Sequence, residues 1–282
     1  MELRQIGVVH SDVRSTKEMP TRGAPAQVEV FPEYAPGLLG IETNSHIVIV
    51  GWMDLADRQT LRLDRTGPDN LPIARGVFAV RSPSRPNPIG ISPTRLLKVD
   101  GSVLHVERLD MVDGTPVIDI KGYSFGWDSI FGAKSFWDRV PPSERNNRVL
   151  SSIVLTLAEN FHGRVCPGLV LGTRMVFHAM ATWNLSYHDP ELRFRVGDDG
   201  CVADAIQGAT GATFGNGRLR YSPGNTFRAV WRDRELTFVV LPSPSEDIER
   251  LLTEEVEALF IVREGALSSE RNERQPGYRC EG

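Results

Sequence analysis

Cysteine is scarce. Cys166, Cys201 and Cys280 are the three in 282 residues, too few for a disulfide scaffold. Long apolar runs are missing too. No stretch approaches the ~20 apolar residues that a membrane-spanning helix requires, and MELRQIGVVH at the start lacks the apolar core of a signal peptide. A cytoplasmic protein with no membrane association is the expectation, with its cysteines free for metal or redox chemistry or simply buried. No charge of one sign dominates. The net charge of -4 gives no global basic character of the kind that advertises nucleic-acid binding. Lysine is rare: of 32 Lys and Arg only Lys17, Lys98, Lys121 and Lys134 are lysine, leaving 28 arginines. Arginine's planar fork suits carboxylates and phosphates, although a genomic composition bias would leave the same trace. With 40% hydrophobic residues the chain can bury a core, as one large domain or two modest ones.

The chain reads as two halves. Up to about Ile120 the apolar runs are short and β-branched (IGVV, HIVIV, GVFAV, VLHVERL, PVIDI), separated by Gly, Pro and Asp. Such spacing predicts an all-β barrel or sandwich. Lys98–Gly101 reads as a hairpin turn in which Asp-Gly supplies positive φ. PPSERNNR, from Pro141, reads as a linker. Beyond it Val149, Ile153, Leu157 and Phe161 recur every four residues, as in a helix. A second helix is expected after Cys166-Pro167-Gly168. Strands are expected around 193–196, 218–221, 226–231 and 236–241. A last helix is expected after Ser243 or Ser245, with Ser243 and Glu246 forming a capping box. The predicted organisation is a β domain over 1–140, an α+β domain over 148–265 and a polar tail over 266–282.

The most informative run is Arg81-Ser82-Pro83-Ser84-Arg85-Pro86-Asn87-Pro88-Ile89-Gly90. Its prolines exclude a helix or a central strand. They fix an extended loop that presents Arg81, Arg85 and Asn87 with little entropy left to lose on binding. A carboxylate or an adenine edge suits such a loop. A stiffened corner whose arginines pair with acidic neighbours would look the same. In Asp110–Lys121, Asp-Gly-Thr-Pro forms a turn, and the strand after it puts Asp119 and Lys121 on one face.

Together these residues resemble the TsaA/TrmO family of S-adenosylmethionine (SAM)-dependent methyltransferases. The resemblance spans about Leu3 to Ser129. It includes Ile6-Gly7-Val8-Val9-His10-Ser11, Lys17 with Pro20 and Gly23, Phe31-Pro32-Glu33-Tyr34, Ser45-His46, the proline-rich loop, and Asp113–Pro116 with Asp119-Ile120-Lys121. It implies a small β-barrel and a homodimer. It also implies SAM held by Lys17 and Pro20 of an early loop, by His46, by Arg81, Ser82, Arg85, Pro86, Asn87 and Ile89, and by Asp113, Gly114 and Thr115. His10 is a further candidate for the pocket. Family members methylate the exocyclic nitrogen of threonylcarbamoyl-adenosine in tRNA. Two departures stand out. Gly122 takes the place of the family's proline in Lys-Pro-Tyr, and the C-terminal extension of the bacterial tRNA enzymes is not visible. Methyl transfer to an amine also needs a proton acceptor. Asp119 and Asp128 are catalytic candidates by residue type, with a surface or pairing role the alternative for each.

In the second half, Phe161–Gly168, Asp199–Gln207 and Gly211–Gly217 resemble the FmdE family, named for formylmethanofuran dehydrogenase, over about Leu157 to Arg263. His162, Cys166 and Cys201 offer imidazole and thiolate, the ligands zinc and iron prefer, with Asp204 as an alternative to Cys201. The resemblance implies a metal there, although Arg164 stands where a second His is common. A Cys at a helix N-terminus would also have a lowered pKa. Three functions follow as expectations. The first is a tRNA methyltransferase, with Arg58, Arg62 and Arg65 to meet phosphate and Trp52, Phe125 and Trp127 to stack on a base. The second is methylation of a small-molecule acceptor held by the second domain. The third is a SAM-binding sensor without catalysis.

Overall fold

The structure is a computed structural model and describes residues 2–66, 72–130, 133, 147–242 and 246–266. The chain divides into two compact units, Met1–Ile130 and Phe131–Gly282.

The first unit is a closed six-stranded barrel. Its elements are β1 (Gly7–Ser11), β2 (Ala24–Val30), β3 (His46–Trp52), β4 (Arg62–Thr66), β5 (Pro72–Gly76), β6 (Ile89–Asp100), β7 (Val103–Leu109), β8 (Pro116–Gly122) and the short helix α1 (Phe125–Asp128). The barrel runs β1-β2-β7-β6-β3-β8, and β4 and β5 pair as a separate ribbon. Every pairing in the barrel is antiparallel. The long β6 serves two neighbours, pairing with β3 through Ile89–Arg95 and with β7 from Leu96 onward. Alternation sends Val9, Val28, Ile47, Ile49, Leu104, Val106 and Val117 inward, as period two requires. Closure removes the edge strands that would otherwise invite aggregation.

Two local expectations shift. In the β6–β7 hairpin Asp100 still pairs with Val103, so the two-residue loop is Gly101-Ser102, and only Gly101 has positive φ (61°). GVFAV is not a strand: β5 stops at Gly76, and Val77–Ala79 form a 3-10 turn. Val77 is buried while Phe78 is 82% exposed.

The second unit packs helices on one face of a sheet. Its elements are α2 (Asn147–His162), α3 (Pro167–Trp183), β9 (Leu192–Val196), α4 (Gly200–Thr210), β10 (Leu219–Tyr221), β11 (Thr226–Trp231), β12 (Arg234–Val240), α5 (Ile248–Thr253), α6 (Val256–Leu259) and β13 (Phe260–Ala266). The sheet order is β10-β9-β11-β12-β13, with β10 parallel to β9 and the remaining pairs antiparallel. The buried stripe of α2 is Leu150, Val154 and Ala158. That is one residue on from the expected stripe, and Ile153 and Leu157 are its half-buried flank. Pro167 begins α3 at a position where its missing N–H costs nothing. The last helix is broken at Glu254–Glu255 into α5 and α6, and β13 was not anticipated because its FIV run follows α6 without a turn signal. Asp247 caps α5, accepting from Glu249 and Arg250 N–H. Ser243, like residues 141–146 of the expected linker, Cys280 and the tail beyond Ala266, lies outside the described residues, and the linker's last two residues, Asn147 and Arg148, already belong to α2.

Candidate functional site

One end of the barrel opens into a cavity of about 1170 Å³. Three segments shape it. The early loop contributes Arg14, Ser15, Thr16, Met19, Pro20 and Thr21, the segment after β3 contributes Met53–Asp57, and the proline-rich loop contributes Arg81–Arg85. Ile89, Gly90 and Ile91 of β6 line it with Asp110, Val112 and Thr115. A Cβ on Gly90 would overlap the Met53 methyl, with the Met111 methyl 3.2 Å away, so glycine lets two thioether side chains close under the cavity floor.

Hydrogen bonds explain how these loops keep their shape. Arg85 folds back on its own loop: Nε donates to Ser82 O at 2.7 Å, and one Nη donates to Val77 O at 2.9 Å and also to Val80 O. These bonds satisfy carbonyls of the 3-10 turn, which is one reason GVFAV leaves the strand conformation. Arg81 donates to Ile91 O, and Arg58 donates to Pro86 O at 3.2 Å while lying over the Trp52 ring. Asp113 ties the early loop to the turn, accepting from Ser11 N–H at 3.1 Å and donating its own N–H to Val13 O at 2.9 Å. Thr115 is buried and donates to Val112 O at 2.7 Å. Buried Ser92 donates to the carboxylate of Asp110, which is exposed on the cavity wall. The cavity therefore combines arginines (Arg14, Arg81, Arg85) with carboxylates (Asp54, Asp57, Asp110) over a methionine floor. Hydrogen bonds from Thr60 and Gln59 hold Asp57 below the usual carboxylate range.

The second unit holds a different cluster. His162 ends α2, Cys166 caps α3 and Cys201 lies in the first turn of α4, and their ligand atoms all fall within 4.8 Å of one another. Asp204, one turn along α4, lies 2.9 Å from His162 Nδ1. A carboxylate accepts, so Nδ1 donates to Asp204, and Nε2, 3.5 Å from Cys166 Sγ, is the ring nitrogen turned toward the cysteines. Such an outer carboxylate is the usual partner of a metal-ligating histidine. The donor set fits a soft or borderline divalent ion such as zinc. Burial, the neighbouring Cys166 thiol and the charges of Asp199 and Asp204 push the Cys201 thiol up to about 11. This is opposite to the lowered value expected at a helix start, with desolvation the largest cause and the Cys166 thiol next.

Comparison with known proteins follows this division. The tRNA-methyltransferase O N-terminal domain matches residues 8–129. The FmdE domain, described as that of a molybdenum formylmethanofuran dehydrogenase operon, matches residues 161–262. A probable S-adenosyl-L-methionine-binding protein of Archaeoglobus fulgidus is 35% identical over 94% of this chain and 75% of its own length. The chain belongs to the TrmO family. A second A. fulgidus protein, an S-adenosyl-L-methionine-binding protein, is 45% identical over 44% of this chain and 90% of its own. The tRNA (adenine(37)-N6)-methyltransferase of Escherichia coli is 30% identical over 73% of this chain and 97% of its own. That alignment covers more of the chain than the barrel does, although no counterpart of the bacterial C-terminal region was expected.

Within this TrmO-family barrel the expected ligand residues separate. Pro20, Arg81, Ser82, Arg85, Ile89 and Thr115 line the cavity. Lys17, Pro86, Asn87, Asp113 and Gly114 do not line it; they belong to the loops that frame it. His46 does not line the cavity. It begins β3 at the barrel end opposite Trp52, bonded to Ser45 Oγ at 3.0 Å and tilted against Tyr123. Nor does His10, which is paired with Glu29 at 2.7 Å. Neither catalytic candidate reaches the cavity. Asp119 pairs with Lys121 at 2.6 Å, the shared face expected from period two, and Asp128 accepts from Ser124 N–H at 2.7 Å. Asp110 was missed. It opens the Asp110–Thr115 run, but only the fold shows that the barrel end exposes it while Asp119 turns away. Of the arginines expected to meet phosphate, Arg62 pairs with Asp64 at 3.0 Å, Arg58 braces Pro86, and the Arg65 side chain lies outside the described residues.

Proposed function

We propose that this protein is a SAM-dependent methyltransferase whose acceptor is an adenosine amine in tRNA. The observation that carries the reading is the barrel-end cavity, where arginines and carboxylates face each other across a methionine floor. SAM presents one carboxylate and two cationic centres, an ammonium and a sulfonium. The donor set therefore fits it: Arg14 and Arg81 for the carboxylate, Asp54, Asp57 and Asp110 for the cations. When bound, SAM supplies an already activated methyl group. The protein's part is then alignment and the removal of a proton.

Asp110 is the carboxylate best placed to take that proton. Ser92 fixes one of its oxygens, leaving the other for an incoming amine N–H. The cavity is larger than a single small ligand needs, which supports donor and acceptor meeting in one space. Phe125 and Trp127 on α1 are 69% and 87% exposed, but α1 follows Gly122, which pairs with Ile47 at the His46 end of the barrel, so neither stands at the cavity. The reading includes a homodimer, supported by exposed apolar side chains around the cavity segments, Leu55 at 74% and Phe78 at 82%.

A second reading keeps the methyl donor and changes the acceptor to a small molecule bound at a metal in the second unit. The His162–Cys166–Cys201 cluster favours it. One experiment separates the two: transfer of labelled methyl from SAM into unmodified tRNA, with a small-molecule extract in parallel. Label in tRNA supports the first reading; label confined to the small-molecule fraction overturns it in favour of the second.

A further inference from the structure

The sheet of the second unit has one face in the core. Leu192, Phe194 and Val196 of β9, Phe227 and Ala229 of β11, and Leu236 and Phe238 of β12 pack with the helices. By alternation the residues between them point to the other face. Register carries that outer face across the whole sheet. Arg220 pairs with Arg195, Arg195 with Arg228, Arg228 with Thr237, and Thr237 with Arg263. A single row crossing all five strands thus consists of four arginines and a threonine. Arg193, two residues along from Arg195, extends it on the same face.

Like charges opposite one another destabilise a sheet, and here three successive strands place arginine against arginine. The neighbours do little to neutralise them. Arg228 has Glu235 at 3.8 Å. Among the described residues Arg193, Arg195, Arg220 and Arg263 have no ion-pair partner. Arg193 and Arg263 are exposed, and the other three are half-buried. With strands ~4.8 Å apart the row reaches about 19 Å. A straight file of guanidinium forks on a rigid sheet matches a linear polyanion better than a compact anion or a broad membrane surface.

We propose that this arginine row is a docking face for the phosphate backbone of an RNA strand. The polyanion face stands on the register alone. The choice of RNA rests on the reading of tRNA as acceptor. On this view the second unit adds affinity for the nucleic acid, independently of its metal-competent cluster.

The test is fluorescence anisotropy of the full chain with a labelled, unmodified tRNA transcript over a series of salt concentrations, without SAM. The Arg195→Gln/Arg220→Gln variant is expected to bind at least tenfold more weakly at low salt. Its slope of log affinity against log salt should shrink by about 0.7–0.9 for each arginine removed. Its melting midpoint should hold or rise, because repulsion between strands is relieved. Arg263→Gln, on the outermost strand β13, should lose about one arginine's share and gives an independent decision. Wild-type protein that fails to bind tRNA at low salt would overturn the proposal, as would variants with unchanged affinity and slope. Duplex DNA or heparin bound as tightly as tRNA would overturn the assignment to RNA. Binding that follows these expectations while no methyl enters tRNA would sustain this face and remove the tRNA reading of the barrel.

Discussion

Asp204 holds His162 by its Nδ1 at 2.9 Å, from the helix that also carries Cys201. This contact fixes the imidazole so that Nε2 faces Cys166 and Cys201. Replacing Asp204 with Asn should lower zinc affinity about 10–100-fold, the usual cost of losing an outer-sphere partner. Cys166→Ser should abolish stoichiometric loading. Metal content after dialysis against zinc, by elemental analysis, checks both, and unchanged loading in Cys166→Ser would remove the site.

The same cluster predicts a pH dependence. A thiol must lose its proton to ligate. Because the Cys201 thiol is raised to about 11, its protonated form predominates in the metal-free protein at neutral pH. Apparent zinc affinity should therefore rise with pH through the range below that value, with proton release on loading. Calorimetry in buffers of different ionisation enthalpy reads the released proton directly.

In the barrel, Arg85 ties Ser82, Val77 and Val80 into one loop. Arg85→Ala should weaken SAM binding at least about tenfold, or ~1.4 kcal/mol. Arg85→Lys should restore little, since an ammonium cannot reproduce the planar fork. Wild-type affinity of the Ala variant in calorimetry would show that the loop does not form the cofactor site.

Asp110 and the two carboxylates first singled out should behave differently. Asp110→Asn should lower methyl transfer about 10²–10⁴-fold, the range for losing a positioned base. Asp119→Asn and Asp128→Asn should stay within a few-fold of wild type, because one is paired with Lys121 and the other accepts from Ser124 N–H. Single-turnover rates at saturating SAM decide, and equal losses in all three variants would argue against a special role for Asp110.

Gly90 offers a check on the cavity floor. Gly90→Ala pushes on the free end of Met53, a flexible side chain, so the melting midpoint should move little while SAM affinity falls about tenfold. Adding Met53→Ala should recover much of the loss. Failure of the double variant to recover would mean that the methionine floor is not what limits the space.

Sequence by itself determined the division of the chain, the β and α+β character of the halves, and the segments that carry chemistry. These are legible because alternation, helical period and proline-stiffened loops are local. His162 and Cys166, four residues apart, were readable for the same reason, and Cys201 joined them through the resemblance of the surrounding motifs. Tertiary structure alone decided which titratable groups face the cavity. Barrel closure sends Asp110 to the open end, spends Asp119 on Lys121, and leaves His46 at the far end of β3. It also decided the arginine row. Arg193, Arg195, Arg220, Arg228 and Arg263 are scattered along the chain, and only strand order and register, which depend on long-range pairing, place them on one face.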